Sequence, residues 1–344
     1  MKRFLLSCLL AATAAVVQAG MGVDQVPGPQ GDANVTVFYA TDAADQPQKR
    51  GPFTLQMAPQ ATPLKGNGRM VVISHGSGGG PWTHTELART LVQAGFVVAM
   101  PLHRGDNSRD DGQPGPASWK LRPAEVSRAI DAVAATPRFA GLLNFDKVGV
   151  TGQSAGGHTA LSLAGGRWSP ARFNEHCQRN LEQDFPACVG LFTRLTGGTM
   201  DGLKKTMARG ALRQRFEDGT EWQTHNDPRI AAAVAGVPAS ADFDHASLAT
   251  PRIPLALVTA GRDVWLRPQF HSDQVLQACL PRCTHLAHLP TGGHNILLSP
   301  LPPMEVLSDN ARELLADPPG FDRAGLLPEV DRKIAAFFTL HLLP

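Results

Sequence analysis

Continuous apolar runs that alternate with helical segments constrain the fold of this chain more than any other feature. The runs lie at residues 70–73, 96–100, 148–150, 230–237, 255–259 and 285–289. Helical spacing separates the first four of them, at 86–94, 122–136 and 155–163. Pro123 is expected in the first turn of the second helix. Runs without polar alternation are typical of strands buried on both faces. The pattern therefore predicts the α/β class, with a mostly parallel twisted sheet and helices on both faces.

The two ends of the chain add elements to this plan. A polar stretch rich in Pro and Gly reaches about Ala33. The runs at 35–40 and 53–57 are predicted to form an antiparallel edge hairpin around the polar turn 43–51. An amphipathic helix is predicted at 328–342.

Residues 166–226 interrupt the alternation of strands and helices. The segment is polar and charged, and it contains Cys177, Cys188 and several Lys and Arg residues. We interpret it as an inserted cap segment, packed over the sheet edge, that shapes the substrate pocket. A run of charges is more often a solvated surface than a ligand site. The basic residues alone therefore do not define the substrate.

Residues 1–19 are typical of a secretory signal. Lys2 and Arg3 precede an apolar run that is too short to span a bilayer, and small residues lead to a cleavage site before Gly20. The sequence predicts that the domain 20–344 is exported, periplasmic or secreted, without stable membrane insertion after cleavage. Cleavage removes two basic and no acidic residues from totals of 32 and 30. The remainder is nearly neutral and lacks the basic surface that nucleic-acid binding requires.

Export also bears on the five cysteines. Cys8 lies in the predicted signal, and the other four form an even set, which in an exported protein predicts disulfides. The sequence neighbours are Cys177 with Cys188 and Cys279 with Cys283, and two other pairings are formally open.

Residues 152–156 (GQSAG) have the Gly-x-Ser-x-Gly form of a nucleophile elbow. They follow a predicted strand and precede a predicted helix, a setting that turns the hydroxyl of Ser154 out of the sheet edge. The flanking glycines are needed because a side chain at either position would clash with the neighbouring strand and helix. The alternative is a Gly-rich turn that only packs a helix against a strand. The strand-turn-helix setting favours a catalytic serine.

Two cofactor motifs are incomplete. Residues 152–159 would match a phosphate-binding loop if His158 were lysine, and residues 76–81 would match a dinucleotide fingerprint if Pro81 were glycine. The sequence therefore predicts no cofactor.

A serine nucleophile needs a base that takes its proton. His294 follows two glycines in the loop after the last predicted strand, which is where such a base is expected. His271, on a predicted helix, and His285 and His288, in a strand, are the competitors. His285, His288 and His294 lack the spacing of a motif such as His-Glu-x-x-His, so no metal is predicted.

The base in turn needs an acid that orients it. In this arrangement the chain order is serine, acid, histidine. Asp263 follows a predicted strand and lies between Ser154 and His294 in the sequence. Asp242 and Asp244, after the preceding strand, remain the alternatives.

Residues 75–80 (HGSGGG) follow a buried strand, at the place where an ester hydrolase provides a backbone N–H to the oxyanion. We predict that the amides of Ser77 and Ala155 are the two donors. His103 and Arg104, which also follow a strand, are predicted to line the mouth of the site.

Four short segments carry a family resemblance. They read HGSGG, LRPAEV, GQSAGG and GGH, at residues 75–79, 121–126, 152–157 and 292–294. As a set they resemble the predicted dienelactone hydrolases of bacteria, which are similar to the platelet-activating-factor acetylhydrolase group. The resemblance implies an α/β-hydrolase fold and esterase chemistry without a cofactor. It also implies Ser154 as nucleophile, His294 as base, and the amides of Ser77 and Ala155 as oxyanion donors.

Two departures limit what the resemblance implies. True dienelactone hydrolases use a cysteine where this chain has Ser154, so the dienelactone name says little about the substrate. The acetylhydrolase group can take its acid from the loop after the preceding strand, which keeps Asp242 and Asp244 open.

The sequence thus predicts an exported serine esterase that cleaves a small-molecule carboxylic ester through an acyl-enzyme. The same triad cleaves amides, so a peptidase or amidase remains an alternative. A non-catalytic exported binding protein on the same scaffold is the other alternative.

Overall fold

The computed structural model describes residues 20–29 and 31–344. The predicted signal peptide and Cys8 lie outside the described residues. The described strands are β1 Gly20–Val26, β2 Val35–Thr41, β3 Gln46–Arg50, β4 Phe53–Pro59, β5 Met70–Ser74, β6 Val97–Met100, β7 Val148–Gln153, β8 Ile230–Gly236, β9 Leu255–Ala260 and β10 Thr284–Leu289. The described α-helices are α1 Thr85–Gln93, α2 Pro116–Ala135, α3 Pro137–Ala140, α4 Ala155–Leu163, α5 Pro170–Asn180, α6 Phe185–Val189, α7 Asp201–Phe216, α8 Ser272–Cys279, α9 Asp309–Leu315 and α10 Arg323–Leu342.

These strands form one sheet in the order β10-β9-β8-β7-β5-β6-β2-β1-β4-β3. Strands β5 to β10 pair with one another in parallel. Antiparallel pairs join β1 to β2, β2 to β6 and β3 to β4. The prediction of an α/β fold with a mostly parallel sheet is confirmed.

Strand β5 lies at a switch point of this sheet. The chain passes from β5 to β6 on one side and then crosses through α2 to β7 on the other side. The loops that follow β5 and β7 therefore meet at the carboxyl edge of the sheet. In open α/β sheets, ligands bind in the crevice at this point.

Alternate side chains of β5 enter two different apolar clusters. Met70 and Val72 pack with residues of α2 and α4. Val71 and Ile73 pack with residues of α1 and α10. Successive strand residues point to opposite faces, so helices cover both faces of the sheet, as predicted. Full burial of each such side chain contributes about 1.5–3 kcal/mol.

The prediction of a polar stretch up to Ala33 is wrong for its first residues, because Gly20–Val26 is strand β1. Glycines disfavour strands, and β1 contains two of them. A Cβ on Gly22 would overlap the ring of Tyr39 on the neighbouring strand. The strand is thus set by packing against a residue that is distant in sequence.

The predicted edge hairpin is also wrong. Strand β2 pairs with β1 and β6 rather than with β4. The segment predicted as a turn, 43–51, contains strand β3, which pairs with β4 in antiparallel fashion. The polar residues of β3 fit an outer edge strand, which explains why an apolar pattern is missing there.

Two helices begin earlier than predicted. Helix α2 begins at Pro116, which has the first-turn position expected for Pro123, and Pro123 lies inside the helix. Helix α10 begins at Arg323, where the side chain of Asp322 accepts a hydrogen bond from the amide of Gly325, so Pro328 is also interior. In both cases an N-terminal signal further upstream decides the start.

The segment 166–226 forms α5, α6 and α7. Its buried side chains join the cluster on the side of α2 and α4. The rings of Trp168 and Phe173 contact Trp119 of α2 at centroid distances of 6.2 and 5.5 Å. The insertion is therefore packed on the domain by aromatic contacts.

The four described cysteines form two disulfides. They join Cys177 to Cys188, between α5 and α6, and Cys279 to Cys283, just after α8. This is the pairing of sequence neighbours, and it supports the prediction of disulfides. Within the described ranges, no helix combines the length and hydropathy needed to cross a bilayer.

Candidate active site

The turn between β7 and α4 has the geometry of a nucleophile elbow. Ser154 has φ 60° and ψ −119°, a region that residues other than glycine rarely adopt and that is often found at functional sites. A Cβ on Gly152 or Gly156 would overlap the carbonyl oxygen of Ser74 in β5. The two glycines are therefore required by close packing of the turn on the central strand, as the sequence predicts.

The end of β8 and the loop after it hold this turn from the other side. The amide of Ser154 donates to the carbonyl of Gly236 at 3.0 Å, and the amide of Ala239 donates to the carbonyl of Ser154 at 3.2 Å. Between them, Val237 has a φ of 32°, which is strained for a β-branched residue. Both backbone polar groups of Ser154 thus have a partner at the end of β8 or just after it.

The side chains of Ser154, His294 and Asp263 form a continuous hydrogen-bonded chain. Nε2 of His294 lies 2.9 Å from Oγ of Ser154. Nδ1 of His294 lies 2.8 Å from Oδ2 of Asp263. Oδ1 of Asp263 accepts hydrogen bonds from the amides of Trp265 and Leu266, both at 2.8 Å. The arrangement gives the serine a base and gives the base an oriented carboxylate.

The alternative acids lie elsewhere. Oδ2 of Asp242 is 3.0 Å from Nε2 of His158 on α4. Asp244 forms an ion pair with Arg167 at 2.7 Å. The described contacts of these two carboxylates do not include His294.

The competing histidines have other partners too. Nδ1 of His271, which lies just before α8, accepts the amide of Ser240 at 3.0 Å. His285 and His288 both contact Oγ1 of Thr259 at 2.8 Å.

Gln153 is a residue of the candidate site that sequence reasoning missed. Its Nε2 donates to the carbonyl of His294 at 2.7 Å, and its Oε1 accepts the amide of Leu297 at 2.8 Å. The residue directly before the nucleophile thus holds the loop that carries the histidine. The position inside the GQSAG motif was the only sequence signal for this role.

The loop after β5 lies against the nucleophile. A Cβ on Gly76 would come within 3.5 Å of Cβ of Ser154. The amide of Gly79 donates to the carbonyl of Gly76 at 3.1 Å, and Gly78 has a φ of 65°, so a tight turn presents Ser77 at its tip. Ala155 is the first residue of α4, where helix amides and the helix dipole favour negative charge. Both predicted oxyanion donors therefore belong to segments that adjoin Ser154.

The prediction that His103 lines the mouth of the site is wrong, because its side chain is fully buried. Its Nε2 lies 2.7 Å from Oγ of Ser74, and its Nδ1 lies 2.6 Å from Oε2 of Glu125. Burial, and then the charge of Arg122, hold the pKa of His103 well below its ordinary value. Arg104 is exposed and contacts the carbonyl of Gly31. The side chain of a residue that follows a strand can thus point into the protein interior and not toward the mouth of the site.

Among the described residues, one group of side chains has the spacing of metal ligands, namely His176, Asp184 and His271. The amide of Ser240 donates to Nδ1 of His271, which leaves the ring proton on Nε2, 3.1 Å from Oδ2 of Asp184. A metal-ligating histidine has the reverse arrangement, with a lone pair toward the metal and a donor on the other nitrogen. We interpret the cluster as a hydrogen-bonded anchor between the insertion and the loop before α8. Burial raises the pKa of Asp184, but hydrogen bonds from the two histidines lower it further, to about 2.

A surface cavity of about 250 Å³ lies at the opposite end of α4 from Ser154, and Ser162, Gly165 and Arg252 are among the residues that line it. A second one, of about 300 Å³, lies beside Arg69 and the end of the chain. Neither includes Ser154, His294 or Asp263, so neither is assigned to this site.

Comparisons with known proteins support the fold. A scan against protein-family models found no match, and a search among curated proteins found none either. A solved structure of a ferulic acid esterase from Streptomyces cinnamoneus is similar, with a TM-score of 0.59 and 16% sequence identity over 96% of this chain and 92% of that chain. At this identity the likeness shows the fold alone. The resemblance to predicted dienelactone hydrolases stays a prediction.

Proposed function

We propose that the chain is an exported serine hydrolase that cleaves small carboxylic esters. Ser154 is the nucleophile, His294 the general base and Asp263 the carboxylate that orients it. The observation that carries this proposal is the hydrogen-bonded chain from Ser154 Oγ through His294 to Asp263, at 2.9 and 2.8 Å. The strained φ of Ser154 supports it, because such strain is retained mainly where function requires it.

The reaction proceeds through an acyl-enzyme. His294 takes the hydroxyl proton as Ser154 Oγ attacks the ester carbonyl, and the amides of Ser77 and Ala155 bind the oxyanion. The intermediate collapses, the alcohol leaves with the proton from His294, and the acyl group remains on Ser154. A water molecule, deprotonated by His294, then attacks the acyl group and releases the acid.

The similar solved structure suggests which esters to test first. That protein is a ferulic acid esterase, so methyl ferulate belongs beside aliphatic esters in a substrate series. The same triad serves amides, and amide substrates in the same series separate an esterase from a peptidase or amidase.

The insertion is proposed to act as a cap beside the site. The side chain of Asn310 on α9 donates to the carbonyl of Leu191 at 2.9 Å, and Arg194 pairs with Glu313 at 2.9 Å. The side chain of Asn295, next to His294, donates to the carbonyl of the last residue of α9. These contacts link the insertion to the loop of the proposed base.

Export is part of the same proposal. Its support is the signal-like sequence at 1–19 together with the two disulfides, which persist in oxidising compartments. Mass spectrometry of the protein from a periplasmic extract or culture medium should give an N-terminus at Gly20.

The test of the activity is hydrolysis of a nitrophenyl ester series by the mature protein and by Ser154→Ala. We expect turnover of short acyl esters by the wild type and a loss of at least about 10³-fold in the variant. A fluorophosphonate probe should label Ser154 in the wild type and not in the variant. Wild-type protein that neither turns over esters nor reacts with the probe would favour the binding-protein alternative.

A further inference from the structure

Asp106 and Arg122 form a fully buried ion pair beside the loop 75–80. Oδ2 of Asp106 accepts a hydrogen bond from Nη2 of Arg122 at 2.9 Å, and neither side chain has exposed surface. Removal of two charges from water is unfavourable, and apolar residues often stabilise a fold better than such a pair. Stability alone does not account for this pair, so its other contacts matter.

The second oxygen of Asp106 binds the loop directly. Oδ1 accepts hydrogen bonds from Oγ of Ser77 at 2.5 Å and from the amide of Gly78 at 2.9 Å. One carboxylate therefore connects Arg122 with the tip of the loop.

Arg122 binds the beginning of the same loop. Its Nη1 donates to the carbonyl of His75, and its Nε donates to Oγ of Ser118 at 2.9 Å. Its Nη2 also donates to the carbonyl of Asp106 at 3.3 Å. All three nitrogens of the planar guanidinium thus donate hydrogen bonds in fixed directions. The ammonium group of lysine does not reproduce this geometry.

Together the two side chains hold the loop on both sides of its functional peptide. The carbonyl of His75 comes before Gly76 and Ser77, and the amide of Gly78 comes after them. The peptide between Gly76 and Ser77 contains the amide that is proposed to bind the oxyanion. Glycine-rich backbone has wide conformational freedom, and an oxyanion donor stabilises the transition state only when its direction is fixed in advance.

Two buried histidines, His75 and His103, also take part in this arrangement. Nδ1 of His75 lies 2.7 Å from the carbonyl of Gly76, and its Nε2 accepts the amide of His103 at 3.2 Å. Burial, with the nearby His103 and Arg122, holds the pKa of His75 well below its ordinary value. Glu125, one turn after Arg122 on α2, accepts from Nδ1 of His103 and from the amide of Arg104. Of the two charged residues in segment 121–126, Arg122 thus binds the loop directly, and Glu125 is connected to it through His103.

We propose that Asp106 and Arg122 are positioning residues that fix the Ser77 amide toward the oxyanion. The inference rests on the proposed function. It assigns to Arg122 of the LRPAEV segment, together with Asp106, a part in catalysis through the loop rather than contact with the substrate.

The experiment compares three single variants, and the double variant Ser77→Ala/Asp106→Asn, with the wild type. Ser77→Ala removes the hydroxyl that bonds Asp106 but keeps the proposed donor amide, and Ser77 is exposed, so the variant should fold. Asp106→Asn places an NH₂ group against Arg122 or against the loop. Asp110→Asn is the matched control, because Asp110 lies in the same segment, is exposed and binds the amide of Gly112.

We expect kcat for nitrophenyl acetate to fall about tenfold in Ser77→Ala and about 100-fold in Asp106→Asn, with KM within about threefold of wild type. Affinity for a trifluoromethyl ketone, which forms an oxyanion on the serine, should fall in parallel with kcat. The pH profile of kcat/KM should not move, because the base is untouched. The double variant should equal Asp106→Asn, and Asp110→Asn should equal the wild type.

Full kcat and full ketone affinity in Ser77→Ala would overturn the proposal, and so would multiplicative losses in the double variant. If Asp106→Asn does not fold, the affinity of Ser77→Ala for the trifluoromethyl ketone alone decides whether the proposal holds. A wild-type protein that is inactive and unlabelled by fluorophosphonate would instead be a failure of the proposed function, so the two failures are distinguishable.

Discussion

The side-chain amide of Gln153 donates a hydrogen bond to the main-chain carbonyl of His294 at 2.7 Å. Its oxygen accepts the amide of Leu297 at 2.8 Å. A carbonyl only accepts and an amide N–H only donates, so the two partners fix the orientation of the Gln153 side chain independently. The residue before the proposed nucleophile thus fixes the position of the loop that carries the proposed base.

Gln153→Glu should lower kcat about 10- to 100-fold on nitrophenyl acetate. A carboxylate at this buried position keeps the bond from Leu297 but turns an oxygen toward the carbonyl of His294, and the loop must move away. Displacement of a catalytic group by about 1 Å can reduce the rate about 100-fold. Steady-state kinetics and thermal unfolding on the same samples measure the two effects separately.

Gln178→Glu provides the control for the added acid. Gln178 is half-buried on α5, and its Nε2 also makes two hydrogen bonds, to Asn174 and to the carbonyl of Arg209. This variant should keep kcat while it loses stability. Equal kcat values for Gln153→Glu and the wild type would mean that the bond to His294 does not position the base.

Asp263→Asn should reduce kcat by about 10⁴-fold. Oδ1 of Asp263 accepts two backbone amides, so the asparagine oxygen must stay there and its NH₂ group faces Nδ1 of His294. The ring then carries its proton on Nε2 and has no lone pair for the proton of Ser154. The magnitude is the one known for the same change in a serine protease.

The same substitution at Asp242 tests the alternative acid. Asp242 is buried and pairs with His158 on α4 at 3.0 Å. Asp242→Asn should lower the unfolding temperature and leave kcat within about threefold of wild type. A collapse of kcat in Asp242→Asn with retained activity in Asp263→Asn would move the acid to the loop after β8.

Local patterns predicted the parts of the site that lie within one turn of the chain. Residues that are neighbours in the sequence determine the strand, turn and helix around Ser154. They also determine the loop that carries His294. Two partners of Arg122, His75 and Asp106, lie 47 and 16 positions away in the sequence. No periodicity or motif spacing reports such contacts, so their role emerges only from the fold.

The same reason explains the errors in the fold. Strand β1 contains Gly20 and Gly22, and its place in the sheet depends on the ring of Tyr39 above Gly22. Strand β3 is polar because it is an edge. Buried central strands such as β5 were predicted well because both of their faces are apolar. Such a strand is visible in the sequence as a continuous run of apolar residues.

Asp331 on α10 should make the protein less stable as pH rises. The residue is 5% exposed, and burial, with the nearby Glu86 charge on α1, raises the pKa of its carboxyl to about 7, while the Arg332 charge lowers it. Below about pH 4 the group is protonated in both the folded and the unfolded chain. Between about pH 4 and 7 only the unfolded chain ionises, so stability falls; above pH 7 the loss is constant. One pKa unit corresponds to about 1.4 kcal/mol, so the total loss is at most about 4 kcal/mol.

Asp331→Asn should therefore be more stable than the wild type at pH 8 and nearly equal to it at pH 4. Urea unfolding at the two pH values measures the difference, and Glu329→Gln is the control. Glu329 is exposed on the same helix and pairs with Lys333 at 3.0 Å, so its replacement should change stability little at either pH. A wild-type protein whose stability does not fall between pH 4 and 8 relative to Asp331→Asn would show that Asp331 is ionised in the fold, with water or a neighbouring cation compensating its charge.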